Sequence, residues 1–239
     1  MISNAIDLVL VDFDDTIVDT HPRFAQARRD LFALLDRAGY TAAEAERLHH
    51  EEIDPVMRER LGFGPQRLEH TFLATYERMR EAAGHEVDEA LAEQCAALGR
   101  AVAGTPPAFA GAVQALRRLA ARHPTVLYTQ SGNPHYQLSC VRETGILDIL
   151  PEERVRIASG KGTTDFLATL DAYGVRDPAR VWMVGNSMRS DINPALEAGA
   201  RAILVEAPEP WHYDLVDPYS DDYLRAPDFV AAVEILLAF

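Results

Sequence analysis

The chain has 239 residues, of which 48% are hydrophobic and 25% are charged, and it carries a formal net charge of −14. This length allows one large core, or a core domain with a smaller insert. The acidic balance, without any lysine- or arginine-rich cluster, argues against nucleic-acid and anionic-membrane partners. No segment shows the pattern of a membrane span or a signal peptide, and two widely separated cysteines suit a reducing compartment, so we expect a cytoplasmic protein.

The first predicted strand, Leu8 to Phe13, is an apolar run that ends in acidic residues. A short, continuous run of Val and Leu is typical of a strand buried on both faces of a parallel sheet. Asp12, Asp14 and Thr16 then fall near its carboxyl end, where open α/β sheets bind their ligands. In an extended chain Asp12 and Asp14 point to the same side, which favours a cation or a phosphoryl group between them. The alternative is a solvated acidic turn whose side chains bond to the backbone.

A long helical insert follows the first strand. From about Thr20 to Gly104 the sequence shows helical periodicity and no convincing strand. The predicted helices are Phe24 to Ala38, Ala42 to Ile53, Gln66 to Ala83 and Val87 to Val102. The run from His49 to Glu52 resembles a metal cluster, but adjacent helical positions do not face together, so we expect a solvated helix face there. Residues 20–104 are therefore predicted to form a helical domain.

After Gly104 the sequence returns to alternating helices and strands. A helix is predicted from about Ala110 to Arg122, and the strands that follow are Thr125 to Thr129, Val155 to Ser159, Val181 to Gly185 and Ala202 to Glu206. Between these strands, capping residues and following glycines predict helices near Pro134 to Thr144, Thr163 to Tyr173 and Ser190 to Ala198. The fold class is therefore α/β, a Rossmann-like parallel sheet core formed by residues 1–19 and 105–239.

Three later strand ends also carry polar groups. Thr129 and Gln130 precede a glycine-containing turn whose N–H groups could surround an anion, although such hydroxyls are also ordinary helix caps. Lys161 lies between two glycines in the loop after the next strand, where a solvated lysine is the simpler interpretation. Asn186 directly follows the next strand, and Asp191, five residues later, suits the cap of the following helix.

These strand ends together resemble the haloacid dehalogenase superfamily, in its branch of metal-dependent phosphatases with a helical cap inserted after the first strand. The family's Asp-x-Asp-x-Thr motif is matched by Asp12, Asp14 and Thr16. Thr129 stands at its second motif, and Lys161 stands at its lysine. All of these motifs occur in order at strand ends, so the resemblance covers essentially the whole chain.

The match departs from the family pattern at two positions. The acidic fourth motif is matched by Gly185 to Asp191, but Asn186 stands where the family usually has Asp. Gly162 follows Lys161 where Pro is common. The first departure replaces a charged metal ligand with an amide, so we expect weaker Mg²⁺ binding than in relatives with the usual Asp.

The resemblance implies a Mg²⁺-dependent phosphomonoester hydrolase that acts on a small phosphorylated metabolite. It implies that Asp12 is the nucleophile, which forms an aspartyl-phosphate, and that Asp14 is first the general acid and then the general base. The implied phosphate-binding residues are Thr16, Thr129, Gln130 and Lys161, and the implied metal ligands are Asp12, Asp14 through its backbone carbonyl, Asn186 and Asp191. We expect specificity to lie in the helical cap and the protein to be a monomer or a homodimer.

Several other functions share this fold and stay open. A halide leaving group needs no proton, so Asp14 favours a phosphatase over a haloacid dehalogenase. A phosphomutase or phosphotransferase would share every core residue and differ in the acceptor of the phosphoryl group. A weakly catalytic, phosphate-sensing protein is the remaining alternative, and Asn186 is what motivates it.

Overall fold

The structure is a computed structural model that describes residues 6–207 and 211–239. Two compact units are present. Within the described residues, unit 1 comprises residues 6–20, 105–130, 138–207 and 211–239, and unit 2 comprises His21–Gly104 and Ser131–Gln137. These units differ from the predicted domains at Thr20 and at the short segment Ser131–Gln137, and the division into domains stays a prediction.

Unit 1 contains, in its described part, a six-stranded parallel sheet. The strands are β1 (Leu8–Val11), β2 (Thr125–Gln130), β3 (Val155–Ala158), β4 (Val181–Gly185), β5 (Arg201–Val205) and β6 (Leu224–Ala226). Their spatial order is β3-β2-β1-β4-β5-β6. The predicted α/β parallel sheet is confirmed, and β6 is an additional strand. Because β1 pairs with β2 on one side and β4 on the other, the boundary of β1 and β4 is the position where open sheets bind ligands.

The described residues form ten α-helices. In chain order they are α1 (His21–Arg37), α2 (Ala42–Leu48), α3 (Asp54–Leu61), α4 (Gln66–Ala83), α5 (Glu89–Arg100), α6 (Ala112–Arg122), α7 (Pro134–Glu143), α8 (Thr163–Ala172), α9 (Asn193–Glu197) and α10 (Phe229–Leu237). Two π-helical segments, His49–Ile53 and Met188–Ile192, precede α3 and α9. In the described part of the chain, we find no helix with both the length and the apolar character that a membrane crossing requires.

The core of unit 1 fills the space between the sheet and its helices. Leu10 of β1, Tyr128 of β2 and Met183 of β4 are fully buried and pack with Phe166 of α8. Burial of each such side chain stabilises the fold by about 1.5–3 kcal/mol. The apolar residues that predicted the strands are therefore the ones that pack the sheet against its helices.

Unit 2 has a core of its own. Apolar residues of α1, α4 and α5 form it, among them Leu31, Phe72 and Leu91. The segment Ser131–Gln137 belongs to this unit because the Gly132 N–H donates to the Phe63 carbonyl at 2.7 Å.

The prediction of a solvated face from His49 to Glu52 was wrong for His49. This residue is 1% exposed, and its Nδ1 lies 3.2 Å from the Thr75 hydroxyl. The region is π-helical, so the side-chain directions of an ordinary helix do not apply there.

Candidate active site

The chain turns sharply after β1. The Asp12 N–H donates to the Val184 carbonyl of β4 at 2.9 Å, so the pairing of β1 and β4 continues to Asp12. Asp15 has a left-handed backbone conformation with φ of 57°, and its Oδ1 accepts the Thr20 N–H at 2.9 Å. An aspartate tolerates this conformation better than most residues because its short carboxylate can bond to the local backbone. The turn therefore fixes the backbone that carries Asp12 and Asp14.

Asp12 is buried against the only lysine of the chain. Lys161 Nζ donates to Asp12 Oδ1 at 2.7 Å and also to Asp191 Oδ1, and it lies 5.1 Å from the centre of the Tyr128 ring. Burial lowers the pKa of Lys161, but the carboxylates of Asp12 and Asp191 outweigh this effect and hold the pKa above its usual value. The ammonium form of Lys161 is therefore favoured, and the structure places it beside Asp12; its role in the site stays a prediction.

Asp191 contacts Lys161 and does not cap α9, so its interpretation as the cap of the following helix was wrong. Its Oδ2 accepts the Ser187 N–H at 2.9 Å, whereas the Ser187 hydroxyl accepts the Ser190 N–H and caps the π-helical segment. Burial raises the pKa of Asp191, and Lys161 opposes that shift. A Cβ atom at Gly185 would lie only 2.3 Å from Asp191 Oδ2, so glycine is required there.

Asn186 and Asp12 present oxygen atoms to the same hydroxyl group. Thr16 Oγ1 lies 3.1 Å from Asp12 Oδ2 and 3.3 Å from Asn186 Oδ1. A hydroxyl has one hydrogen, so it cannot donate a full hydrogen bond to both oxygens at once. Carboxylate and amide oxygens are ligands that suit Mg²⁺, and these two fit such an ion at the boundary of β1 and β4. Asp191 has other donors: its Oδ1 accepts from the Lys161 ammonium and its Oδ2 accepts from the Ser187 N–H.

The described residues contain no group of three or more His, Cys, Asp or Glu side chains that could hold a metal ion. Asn186, which supplies an amide oxygen, is not one of these residue types. An ion at this position would meet one carboxylate and one amide, and it would keep several water ligands, as Mg²⁺ commonly does.

Asp14 is held by different groups from those that hold Asp12. The Thr20 hydroxyl donates to Asp14 Oδ1 at 2.7 Å, and Thr129 Oγ1 lies 3.5 Å from Asp14 Oδ2. Thr129 was predicted to belong to the site, whereas Thr20 was placed only at the start of the insert. The Gln130 side chain is directed elsewhere, since its Nε2 donates to the Ser159 carbonyl at 2.9 Å. Of the predicted phosphate-binding residues, Gln130 is the one whose side chain does not join the others.

Asp214 is a half-buried acid that sequence reasoning missed. The Ser187 hydroxyl donates to its Oδ1, and burial raises the pKa of Asp214. Nearby, Arg189 Nε donates to the Tyr213 carbonyl at 2.7 Å and its guanidinium lies 4.6 Å from the Tyr213 ring centre. These contacts hold the loop after β4 in place. No motif signalled Asp214, which lies 27 residues after Ser187.

The structure combines a parallel α/β sheet with an aspartate that directly follows its first strand and binds a buried lysine. This combination agrees with the class of hydrolases that the sequence motifs resemble. The family model for haloacid dehalogenase-like hydrolases matches residues 6–199 of the chain. The protein belongs to this family, as the resemblance of its motifs indicated. Among curated protein sequences, none matches this chain significantly.

Solved structures share the fold over almost the full length of the chain. A haloacid dehalogenase-like family hydrolase from Xanthomonas campestris is 24% identical, with a TM-score of 0.76 and coverage of 98% of this chain and 96% of the other. The putative HAD-hydrolase YfnB from Bacillus subtilis, bound to magnesium, is 17% identical, with a TM-score of 0.63 and coverage of 98% and 99%. A 2-haloacid dehalogenase from Pseudomonas syringae pv. Tomato DC3000 is 23% identical, with a TM-score of 0.56 and the same coverage of 98% and 99%. These likenesses establish the fold and leave the reaction to be argued from the site.

Proposed function

We propose that this hydrolase is a Mg²⁺-dependent phosphomonoesterase that acts on a small phosphorylated metabolite through an aspartyl-phosphate at Asp12. The main observation behind the proposal is that two carboxylates, two residues apart in the sequence, have different hydrogen-bond partners. Asp12 is paired with the Lys161 ammonium, whereas Asp14 accepts the Thr20 hydroxyl. A carboxylate beside a cation suits a nucleophile, and a second carboxyl beside it suits proton transfer.

In the first half of the reaction, an Asp12 carboxylate oxygen attacks the phosphorus atom. A bond forms between that oxygen and phosphorus while the bond from phosphorus to the ester oxygen breaks. The Asp14 carboxyl gives its proton to the departing ester oxygen, so that an alcohol leaves and Asp14 becomes a carboxylate. The Lys161 ammonium, 2.7 Å from Asp12 Oδ1, stabilises negative charge on the transferring group.

In the second half, a water molecule attacks the phosphorus atom of the aspartyl-phosphate. The Asp14 carboxylate takes a proton from this water, and the bond from phosphorus to Asp12 breaks. Inorganic phosphate leaves, and Asp12 returns as a carboxylate with Asp14 protonated. The hydroxyls of Thr20 and Thr129 hold the Asp14 side chain for both proton transfers, since they contact its two oxygens.

Asp12 and Asn186 supply side-chain oxygens that would hold Mg²⁺, with Asp14 added through its backbone carbonyl by the family resemblance. When bound, the ion supplies positive charge that neutralises phosphate oxygens. Support for this ion comes from the paired oxygens around Thr16 and from the magnesium bound in the Bacillus subtilis neighbour. We place Asp191 as a partner of Lys161 and not as a direct ligand, because its Oδ1 accepts the Lys161 ammonium and its Oδ2 the Ser187 N–H, whereas Asp12 and Asn186 both present an oxygen to Thr16.

A haloacid dehalogenase is the second candidate, and a solved neighbour with that activity in its name favours it. The pair Asn186 and Ser187 is compatible with both a dehalogenase and a phosphatase. Asp14 distinguishes them, since a departing halide needs no proton whereas a departing alkoxide needs one. We therefore place the phosphatase first.

The test measures phosphate release from p-nitrophenyl phosphate and ethyl phosphate, and chloride release from chloropropionate, with Mg²⁺ and with EDTA. We expect Mg²⁺-dependent phosphate release that Asp12→Asn lowers by several orders of magnitude, because the attacking charge is lost. Asp14→Asn should impair ethyl phosphate hydrolysis more than p-nitrophenyl phosphate hydrolysis, because nitrophenolate leaves without a proton. Chloride release in the absence of phosphate release would refute the proposal, as would near-normal activity of Asp12→Asn.

A further inference from the structure

A buried arginine in unit 2 lacks partners for most of its hydrogen-bond donors. Arg67 lies in the first turn of α4 and is 3% exposed. Its Nη2 lies 3.2 Å from Asp54 Oδ1. Its Nε and Nη1 have no hydrogen-bond partner among the described residues. The Nε–H and both Nη1–H bonds are therefore buried donors without an acceptor, an arrangement that folded proteins rarely retain without a reason.

Asp54 orients two arginines at once. Its Oδ2 accepts Arg58 Nη1 at 3.1 Å while its Oδ1 faces Arg67. All three side chains are largely buried, with side-chain exposures of 12% for Arg58, 5% for Asp54 and 4% for Arg67. Fixed in this way, the guanidinium of Arg67 loses little freedom when it binds a further acceptor.

Two buried guanidinium groups share the Asp54 carboxylate. Arg58 Nη1 and Arg67 Nη2 both contact its oxygens, in a chain whose net charge is −14. Burial lowers the pKa of Arg67 to about 10, and Arg58 and Arg28 add to this shift while Asp54 opposes it. Because buried donors ordinarily have acceptors, an anion beside Arg67 would supply the acceptor that its Nε and Nη1 lack among the described residues.

The backbone that carries Asp54 is unusual as well. The Asp54 N–H donates to the His49 carbonyl five residues earlier, which closes the π-helical segment His49–Ile53. Single-turn π segments occur frequently at functional sites. The same geometry in unit 1, at Met188–Ile192, holds Asp191 against Lys161. The parallel indicates that the position of Asp54 is specified by the fold.

We propose that Arg67, oriented by Asp54 beside Arg58, binds a small oxyanion, either a carboxylate or a phosphate group. The oxyanion accepts hydrogen bonds from Nε and Nη1 of Arg67, the two groups that lack an acceptor among the described residues. A charge-assisted pair of this kind is among the stronger hydrogen bonds in proteins.

The first experiment measures binding of malonate and of inorganic phosphate to the full-length protein by calorimetry in EDTA. Wild type should bind at least one of these probes saturably. Arg67→Met should weaken that binding tenfold or more, and Arg67→Lys should also weaken it because lysine cannot supply the Nε and Nη1 donors. The matched control is Arg78→Met on the same helix, where Arg78 is 49% exposed and pairs with Glu52. This control removes the same charge and should bind as wild type does.

The second experiment compares the carboxylate probe with the phosphate probe. If the site binds both groups, Arg67→Lys should weaken malonate binding and phosphate binding alike; if it prefers one group, only that probe should lose affinity. Either result supports the oxyanion site and identifies its chemistry.

Two results would overturn the proposal. One is the absence of saturable binding of either probe to wild type. The other is equal binding by wild type and Arg67→Lys, which would place any bound anion elsewhere and leave water as the partner of the buried donors. Arg67→Lys keeps a cation beside Asp54, so it tests the proposal even if Arg67→Met fails to fold. Both overturning results are measured without turnover and are independent of the phosphatase activity.

Discussion

Replacing Lys161 with Met tests how strongly the active site depends on one ammonium group. The Nζ atom lies 2.7 Å from Asp12 Oδ1 and also contacts Asp191, and the side chains of Lys161, Asp12 and Asp191 have exposures of 3%, 9% and 1%. At 2.7 Å and an effective dielectric of about 20, the attraction to Asp12 alone is about 6 kcal/mol. Part of this attraction is offset on removal of the cation, because burial raises the pKa of Asp191 and allows that carboxyl to bind a proton.

We expect Lys161→Met to lower the free energy of unfolding by about 3–5 kcal/mol, the cost of removing one partner from a buried ion pair. That is a large fraction of the roughly 5–15 kcal/mol that stabilises a typical protein. Urea unfolding at pH 7 in EDTA, followed by circular dichroism, measures the change. EDTA removes divalent cations that would otherwise replace the missing charge.

The double variant Lys161→Met with Asp191→Asn should recover part of this loss, because it removes one of the two carboxylates left without a cation. The amide oxygen introduced by Asp191→Asn would still accept the Ser187 N–H. Arg118→Met is the matched control, since Arg118 pairs with Glu234 at an exposed position in the same unit and should leave stability unchanged. If Lys161→Met unfolded at the same urea concentration as Arg118→Met, the buried triad would not have the role argued here.

Two further predictions address the metal site and the packing of unit 2. Asn186→Asp should lower the half-saturating Mg²⁺ concentration of phosphate release, by about tenfold for each 1.4 kcal/mol gained, because a carboxylate replaces an amide ligand; an unchanged value would show that residue 186 does not contact the ion. Gly99→Ala should lower the melting temperature, although alanine stabilises exposed helices, because its Cβ would lie 2.4 Å from the Glu69 nitrogen where α4 and α5 touch. A raised melting temperature would contradict this.

Strands β1 to β5 were predictable because each of them is a short, mainly apolar run followed by a turn. Helix α3 was missed because its eight residues, DPVMRERL, contain few apolar positions. Helix α10 was missed for the opposite reason, since FVAAVEILL is apolar on nearly all sides and has no polar face. Strand β6 has only three residues, too few for a pattern.

The site residues that sequence reasoning found likewise follow recognisable apolar strands, whereas a residue that it missed does not. Asp12, Lys161 and Asn186 lie at or shortly after the carboxyl ends of strands, and parallel strands bring these ends to one edge of the sheet. Arg67 is different. With Thr71 and Thr75 it forms a polar row at a spacing of four residues, which in a sequence resembles a solvated helix face. The structure buries this row, because Asp54 and His49 supply polar partners from an earlier part of the chain that no sequence pattern links to α4.

The charge balance of the active site bears on why it would need a metal ion. Asp12 and Asp191 face a single cation, Lys161, so the triad offers no excess of positive charge. A phosphomonoester brings about two negative charges at neutral pH, which these residues alone would not neutralise. The net charge of −14 adds to the repulsion of such a substrate. A divalent cation between Asp12 and Asn186 would supply the missing positive charge, and we therefore expect EDTA to weaken substrate binding as well as turnover.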